Sequence, residues 1–250
     1  MALQVDLLPI FEDNYVFVLS GAHGNAFVVD PGEAETVYDF LVRKKLRLNG
    51  ILVTHHHADH IGGVQRLREL MLRDSGGQIN IIAPLLNQRQ IPGAELYVAG
   101  GENINVLGHD CAVMAVPGHT MGHVAYYFAE EGLLFSGDVI FGLGCGRLFE
   151  GTPETAYESL QLFKRLPPQT KIFCTHEYTE RNLRFCRELA ANKKFQYGEC
   201  RADLEQYAAD FTVPSVPLLL SGEVKVNPFL RANDAAEFAE IRRLRNEFKG

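Results

Sequence analysis

Apolar residues fall along the first two thirds of the chain in short runs broken by glycine and polar turns. VFVLS (16–20), AFVVD (26–30), ILVT (51–54), INIIA (79–83), CAVMAV (111–116), VAYYF (124–128), LLFS (133–136) and KIFC (171–174) have the length and β-branched content of buried strands. Between some of these runs the apolar spacing changes to three and four. TVYDFLVRKKL (36–46) and GGVQRLREL (62–70) read as helices on that pattern. TPETAYESLQLFKRL (152–166) does so more completely. Thr152 is the expected N-cap, Pro153 opens the helix, and Tyr157, Leu160, Phe163 and Leu166 make one stripe. Strands and helices interleaved in this way predict a layered α/β protein.

Past about residue 177 the strand-like runs nearly vanish. Helical patterns take over at 180–191, 199–210 and 234–248, with TVPSVPLLLSGEVKVNPF (212–229) between the last two. Its prolines predict an extended crossover. In the final helix Asp234 and Glu237 have capping-box spacing. Phe238, Ile241, Leu244 and Phe248 form its apolar stripe, flanked by Arg242, Arg245 and Lys249. The expected organisation is an α/β domain over residues 1–176 and a smaller helical domain over 177–250.

Composition narrows the class without naming a function. The chain has 250 residues, 46% hydrophobic and 22% charged, which excludes a wholly disordered or fibrous protein. Its formal charge of -7 is the wrong balance for a non-specific nucleic-acid binder. No apolar run approaches the roughly 18 residues of a membrane span, and the opening MALQVDLLPIFEDNY lacks the pattern of a secretory leader. The five cysteines are odd in number and form no CxxC pair, as expected of buried thiols in a reducing compartment. These features predict a cytoplasmic protein with neither nucleic acid nor membrane as partner, and the chain is expected to act as a monomer.

Histidine is the uneven entry. Four of the nine stand within THHHADH (54–60), directly after the run ILV, where a strand should end and its loop open. His55 and His57 have the alternate spacing that points two side chains the same way from extended backbone, which turns His56 away. Asp59 and His60 follow. Four metal-capable groups here exceed the needs of one three-ligand catalytic ion and suggest two neighbouring ions. Three further candidates also follow strand-like runs: His119 in VPGHTMGH, Asp138 in LLFSGD and His176 in KIFCTHEY. The economical arrangement gives His55, His57 and His119 to one ion, and Asp59, His60 and His176 to the other. Asp138 then bridges them, because a carboxylate offers one oxygen to each cation. His123 is expected to play a supporting role, and His23 and His109 belong to no constellation.

Two cations at such a site make shared water acidic enough to yield hydroxide near neutral pH, polarise a carbonyl and stabilise a tetrahedral oxyanion. Asp59 is placed to accept a hydrogen bond from that hydroxide. No GxSxG elbow is present and no cysteine pairs with an adjacent base. On residues alone, the reading is a metal-dependent hydrolase.

These junctions resemble the metallo-β-lactamase superfamily, whose THxHxDH signature stands here as Thr54 to His60. DNY…VVDPG, VPGHTMGH, FSGDVIFGLGCGR, THEYTERNLRF, VNPF and IRRLRNEF make the chain similar, over nearly its whole length, to the glyoxalase II family of hydroxyacylglutathione hydrolases. The resemblance implies an αββα sandwich followed by a small helical domain. It also implies a dinuclear centre, typically zinc with iron or manganese tolerated, on the residues named above. The implied reaction is hydrolysis of S-D-lactoylglutathione to D-lactate and glutathione, with Asp59 and Asp138 at the reacting centre. By the same resemblance Arg147, Tyr178, Arg242 and Arg245 bind the glutathione moiety. Arg147 stands where the family commonly has lysine, and Phe149 where some members have tyrosine. Lactamase, ribonuclease and lactonase readings share the core motif, and persulfide dioxygenases resemble this family with one iron. VNPF and IRRLRNEF, in a complete helical tail, favour the glutathione thioesterase.

Overall fold

A computed structural model of the chain describes residues 3–75, 78–192 and 196–250. It divides into two compact units, Met1–Ala115 with Gly122–Gly137, and Val116–Met121 with Asp138–Gly250.

The first unit opens with β1 (Gln4–Ile10), β2 (Asn14–Ser20) and β3 (Asn25–Val29), then α1 (Glu35–Lys44), β4 (Arg47–Leu52), α2 (Ala58–Ile61) and α3 (Val64–Ser75). It continues with β5 (Asn80–Pro84), β6 (Leu96–Val98), β7 (Asn103–Val106), β8 (His109–Ala115), β9 (Val124–Phe128) and β10 (Leu133–Gly137). Strands β1 to β6 form one sheet in chain order, antiparallel up to β3 and parallel beyond. Strands β7 to β10 form an antiparallel meander.

All seven residues of β2 are buried because the first sheet is covered on both faces. Val16, Val18, Val28, Ile51 and Ile81 pack with Val37, Phe40, Leu41, Leu67 and Leu70 of α1 and α3. The alternate residue Phe17 points the other way and meets Phe135 of β10, ring centroids 5.7 Å apart. Tyr126 of β9 is fully buried and donates its hydroxyl proton to the Val53 carbonyl at 2.9 Å, joining the meander to the end of β4. Strand–helix layering and continuous apolar runs therefore have one cause, the burial of a mixed sheet on both faces.

The second unit contains β11 (Ile140–Phe141), β12 (Gly144–Cys145), α4 (Pro153–Lys164), β13 (Lys171–Cys174), α5 (Thr179–Ala191) and α6 (Arg201–Asp210). It ends with β14 (Leu218–Leu219), α7 (Leu220–Val226), α8 (Pro228–Arg231) and α9 (Ala235–Glu247). Thr152 caps α4 in a reciprocal box with Thr155, and Pro153 fills the first helical position. Asp234 caps α9 by accepting from the Glu237 N–H at 2.8 Å, while the Glu237 carboxylate turns to Asn233.

Several elements differ from the sequence expectation. Residues 212–229 are not extended throughout. After the prolines they form β14, and LSGEVKV then closes into α7 before Pro228 starts α8 at its N1 position. The stretch read as a helix from 199 starts as a 3-10 turn over Gln196–Cys200, with α6 beginning at Arg201. Strands β1, β6 and β7 escaped the pattern because their exposed or half-buried positions break the apolar run. No helix among the described residues is long and apolar enough to cross a membrane.

Candidate active site

The histidine run begins three residues past the C-terminal end of β4. Thr54 leaves the strand with its N–H bonded to Asp30 Oδ1 at 2.8 Å and its hydroxyl to Asp30 Oδ2 at 2.6 Å. His57 is extended and precedes α2, the short helix that carries Asp59 and His60. Asp138 directly follows β10, His176 follows β13 by two residues, and His119 lies in the loop after β8.

These positions bring three ligand groups together. One is His55, His57 and His119; another is Asp59, His60 and His176; the third is His55, His60 and Asp138. Within each group every residue offers a ligand atom within 4.8 Å of the others. His55, His60, His119, Asp138 and His176 are buried, whereas His57 and Asp59 are half-buried. Asp138 Oδ2 lies 3.3 Å from His119 Nε2 and 3.4 Å from His176 Nε2. His55 Nε2 lies 3.0 Å from His57 Nδ1. Tetrahedral zinc bonded to nitrogen at about 2.0–2.1 Å sets its ligand atoms roughly 3.3 Å apart, so these spacings match the edges of a coordination polyhedron.

The hydrogen bonds behind the ring nitrogens decide which lone pairs are available. Asp30 Oδ2 accepts from His60 Nδ1 at 3.0 Å, leaving Nε2 unprotonated. The Thr54 hydroxyl spends its proton on Asp30, so its oxygen must accept from His55 Nδ1 at 3.1 Å. His119 Nδ1 donates to the Arg147 carbonyl at 2.6 Å. Three imidazoles thus present Nε2 as an acceptor, beside two carboxylates. Electron-pair donors crowded together with their tautomers fixed are a donor set for cations, and the grouping accommodates two divalent ions. Nitrogen and carboxylate oxygen suit zinc, iron and manganese alike.

Supporting contacts hold the remaining members. Asn14 Nδ2 donates to Asp59 Oδ2 at 3.0 Å. His123 stacks on His55 with centroids 4.6 Å apart, and His56 turns away to Asn87, its Nδ1 3.0 Å from the amide nitrogen. His109 pairs with Glu131, and His23 sits in a surface turn. All five cysteines are buried and free.

The residues expected to bind glutathione share the second unit. Tyr178 stacks on His176, rings 4.8 Å apart and within 6° of parallel. Arg147 is exposed and lies over the Phe149 ring at 5.4 Å. Arg242, expected on the flank of its helix, is instead buried and donates Nη1 to the Cys145 carbonyl at 2.9 Å. Arg245 donates Nε to Asn182 Oδ1 at 3.1 Å. Burial first, then the charges of Arg242 and Arg181, push its guanidinium down to about 10.

Asn14, Asp30 and Thr54 support the ligands without standing among the expected site residues, although they lie in the segments DNY, VVDPG and THHHADH. Asp30 carried a usable signal. It is an acidic residue at the end of a strand-like run, the same placement that singled out Asp138.

Comparison with known proteins places these residues in a family. The model of the metallo-beta-lactamase superfamily matches residues 10–70 and 95–176, and that of the hydroxyacylglutathione hydrolase C-terminus matches 177–248. A hydroxyacylglutathione hydrolase from Bdellovibrio bacteriovorus is 51% identical over 250 residues, covering 97% of each chain. Among solved structures, ETHE1 from Myxococcus xanthus superposes with a TM-score of 0.69 at 22% identity, over 97% of this chain and 90% of that one. A protein solved in a di-iron-bound form gives 0.55 at 26% identity, over 69% of this chain and 91% of its own.

Proposed function

The chain belongs to the hydroxyacylglutathione hydrolase family of the metallo-β-lactamase superfamily, and on that premise we propose that it hydrolyses S-D-lactoylglutathione to D-lactate and glutathione. The observation that carries this reading is the set of three ligand groups just past the strand ends, built from seven side chains, with the tautomers of His55, His60 and His119 fixed from behind.

His55, His57 and His119 would hold one divalent ion and Asp59, His60 and His176 the other, with Asp138 available to both. Zinc is the first choice, and iron or manganese fits the same donors. Such ions, when bound, supply the charge that makes water nucleophilic at neutral pH and polarises a carbonyl. The chain does the rest. Asp59, fixed through Oδ2 by Asn14, takes the hydrogen bond of the attacking water and aims its lone pair. The new C–O bond forms at the thioester carbon, the proton that the water loses passes along its hydrogen bond to Asp59 and on to solvent, and the C–S bond breaks with its electron pair leaving on sulfur. A thiolate leaves readily, so no side chain is needed as a general acid there.

Arg147, Tyr178, Arg242 and Arg245 bind the glutathione moiety, with residues 177–250 serving as the helical substrate domain and 1–176 as the catalytic one. The depressed Arg245 supports this role. Arg245 is desolvated by burial and faces the charges of Arg242 and Arg181, a cost that a carboxylate placed beside it relieves. Arg245→Ala is expected to raise KM about 10-fold with kcat within about threefold, since the lost contact is equal in ground and transition states. Steady-state kinetics with S-D-lactoylglutathione checks this, and an unchanged KM removes Arg245 from the substrate site. The protein acts as a cytoplasmic monomer with no nucleic-acid or membrane partner.

The test of the whole reading is metal analysis joined to a thioester assay. Two metals per chain with turnover of S-D-lactoylglutathione is the expected result. A single iron, with oxygen consumed on glutathione persulfide and no thioester cleavage, overturns it.

A further inference from the structure

The helical part of the second unit does more than face the substrate. We propose that Glu223 and Asn227 are positioning residues for the metal site, acting through the β11–β12 hairpin that joins Asp138 to the carbonyl holding His119. This inference rests on the two-metal reading above.

The hairpin pairs Ile140 with Cys145 and Phe141 with Gly144 around the turn Gly142–Leu143. Leu143 is buried in the left-handed region at φ 58°, an uncommon place for a leucine that needs outside support. Support comes from side chains on α5, α7 and α9 and from Asn227 at the junction of α7 and α8. Glu223 Oε2 accepts the Leu143 N–H at 2.9 Å. Asn227 Nδ2 reaches the Phe141 carbonyl at 3.2 Å and the Gly144 carbonyl at 3.0 Å. Asn182 Nδ2 donates to the Gly142 carbonyl at 2.9 Å, and Arg242 takes the Cys145 carbonyl. Backbone groups that would pair with a neighbouring strand are met one by one by this template.

Glu223 and Asn227 are its centre, and both are completely buried. Their side chains bond each other at 2.9 Å, and Tyr207 donates its hydroxyl proton to Glu223 Oε1 at 2.8 Å. Burial raises the Glu223 carboxyl above its ordinary range, while these donors favour its ionised form. A buried acid bonded on both oxygens has no role in the proposed mechanism. Its partners instead all point at the hairpin or hold α6 and α7 around it.

The hairpin meets the ligands at its two ends. At one end Asp138 stands two residues before β11. At the other, a Cβ on Gly146 would lie 1.9 Å from the Asp138 carbonyl oxygen and 3.2 Å from His119 Nδ1, so this backbone is pressed against both ligand residues. The next residue, Arg147, gives the carbonyl that fixes the His119 tautomer. Gly144 is glycine for the matching reason, since a Cβ there would stand 2.3 Å from Asn182 Nδ2. A shift of the turn therefore moves Asp138 and the Arg147 carbonyl together.

The test uses the full chain with zinc as the probe, in equilibrium competition with a chromophoric chelator, alongside kinetics and thermal melts. Glu223→Ala should weaken zinc binding about 10-fold or more and lower kcat by a similar factor, with KM within about twofold. Glu223→Gln should restore both to within about threefold. Its oxygen can serve Leu143 and Asn227, while the Tyr207 hydroxyl reverses to accept from the new amide. If Glu223→Ala does not fold, Asn227→Ser is the second probe. Serine still caps α8 but cannot reach both hairpin carbonyls, and the same zinc weakening is expected. Leu204→Ala, which removes a buried side chain of α6, controls for loss of stability alone. Native zinc affinity in folded Glu223→Ala or Asn227→Ser overturns the inference, as does a zinc loss that Leu204→Ala reproduces at equal melting temperature. Failure of the unmodified protein to bind two zinc ions would instead overturn the two-metal reading.

Discussion

Asp138→Ala is expected to lower turnover of a glutathione thioester by about three orders of magnitude and to leave fewer than two metals per chain. One oxygen of this buried carboxylate faces both His119 Nε2 and His176 Nε2 at 3.3 and 3.4 Å. Asp138 also groups with His55 and His60, so its side chain touches members of both triads. Removing it takes away the negative charge that lets two cations stand side by side, and the remaining histidines cannot replace that charge. The variant also separates a catalytic loss from a folding loss. Without metal, alanine relieves a buried acid, so the melting temperature of the metal-free protein should not fall. With metal, the stabilisation gained from binding should shrink, because a weaker site returns less of it to the folded state. Elemental analysis, melts with and without zinc, and kcat read all three effects. Two retained metals with turnover within tenfold of the unmodified protein would show that Asp138 is not the shared ligand.

What could be read in advance follows from how each residue is held. The buried strands were legible because a sheet covered on both faces demands continuous apolar runs, as β2 and β9 show. The metal-capable residues were legible because each sits within a few positions of such a run's end, where a loop can turn a polar side chain inward. Strands β1 and β7 carry mixed exposure and gave no run to recognise. The segment 212–229 misled because prolines at 214 and 217 dominate its start, while α7 draws its stability from burying Leu220, Glu223 and Val226 rather than from a regular stripe. Arg242 was read as a flanking charge because periodicity does not reveal that a carbonyl 97 residues away would take its guanidinium. Partners behind the ligands were hidden for the same reason. Asp30 acts on His60 across 30 residues of chain and Asn14 on Asp59 across 45. Distances of that kind are set by the order of strands in the sheet, and local sequence does not encode them.

Asp30 gives the second large effect, and the sharpest test of how ligand nitrogens are kept unprotonated. Asp30→Asn is expected to weaken zinc binding about 100-fold, since it disturbs two ligands where loss of one supporting partner costs about 10–100-fold. The native carboxylate only accepts. It takes the Thr54 N–H on Oδ1, and the Thr54 hydroxyl and His60 Nδ1–H on Oδ2. Asparagine keeps one acceptor and gains two donors. If its oxygen stays with the Thr54 N–H, its amide protons face Thr54 Oγ1 and His60 Nδ1. The threonine hydroxyl must then turn to His55 Nδ1, and both imidazoles move their protons to Nε2, the atoms that should bind metal. If the amide is flipped, its NH2 opposes the Thr54 N–H, and two buried donors face each other at a cost of about 1–3 kcal/mol. Neither orientation restores the native pattern. The size of the side chain is unchanged, so the fold should persist and the defect should be partly overcome by excess metal. Zinc competition gives the affinity, and nitrogen NMR of the metal-free imidazoles reads the tautomers directly. Native affinity with Nδ1–H retained on His55 and His60 would show that something other than Asp30 sets them.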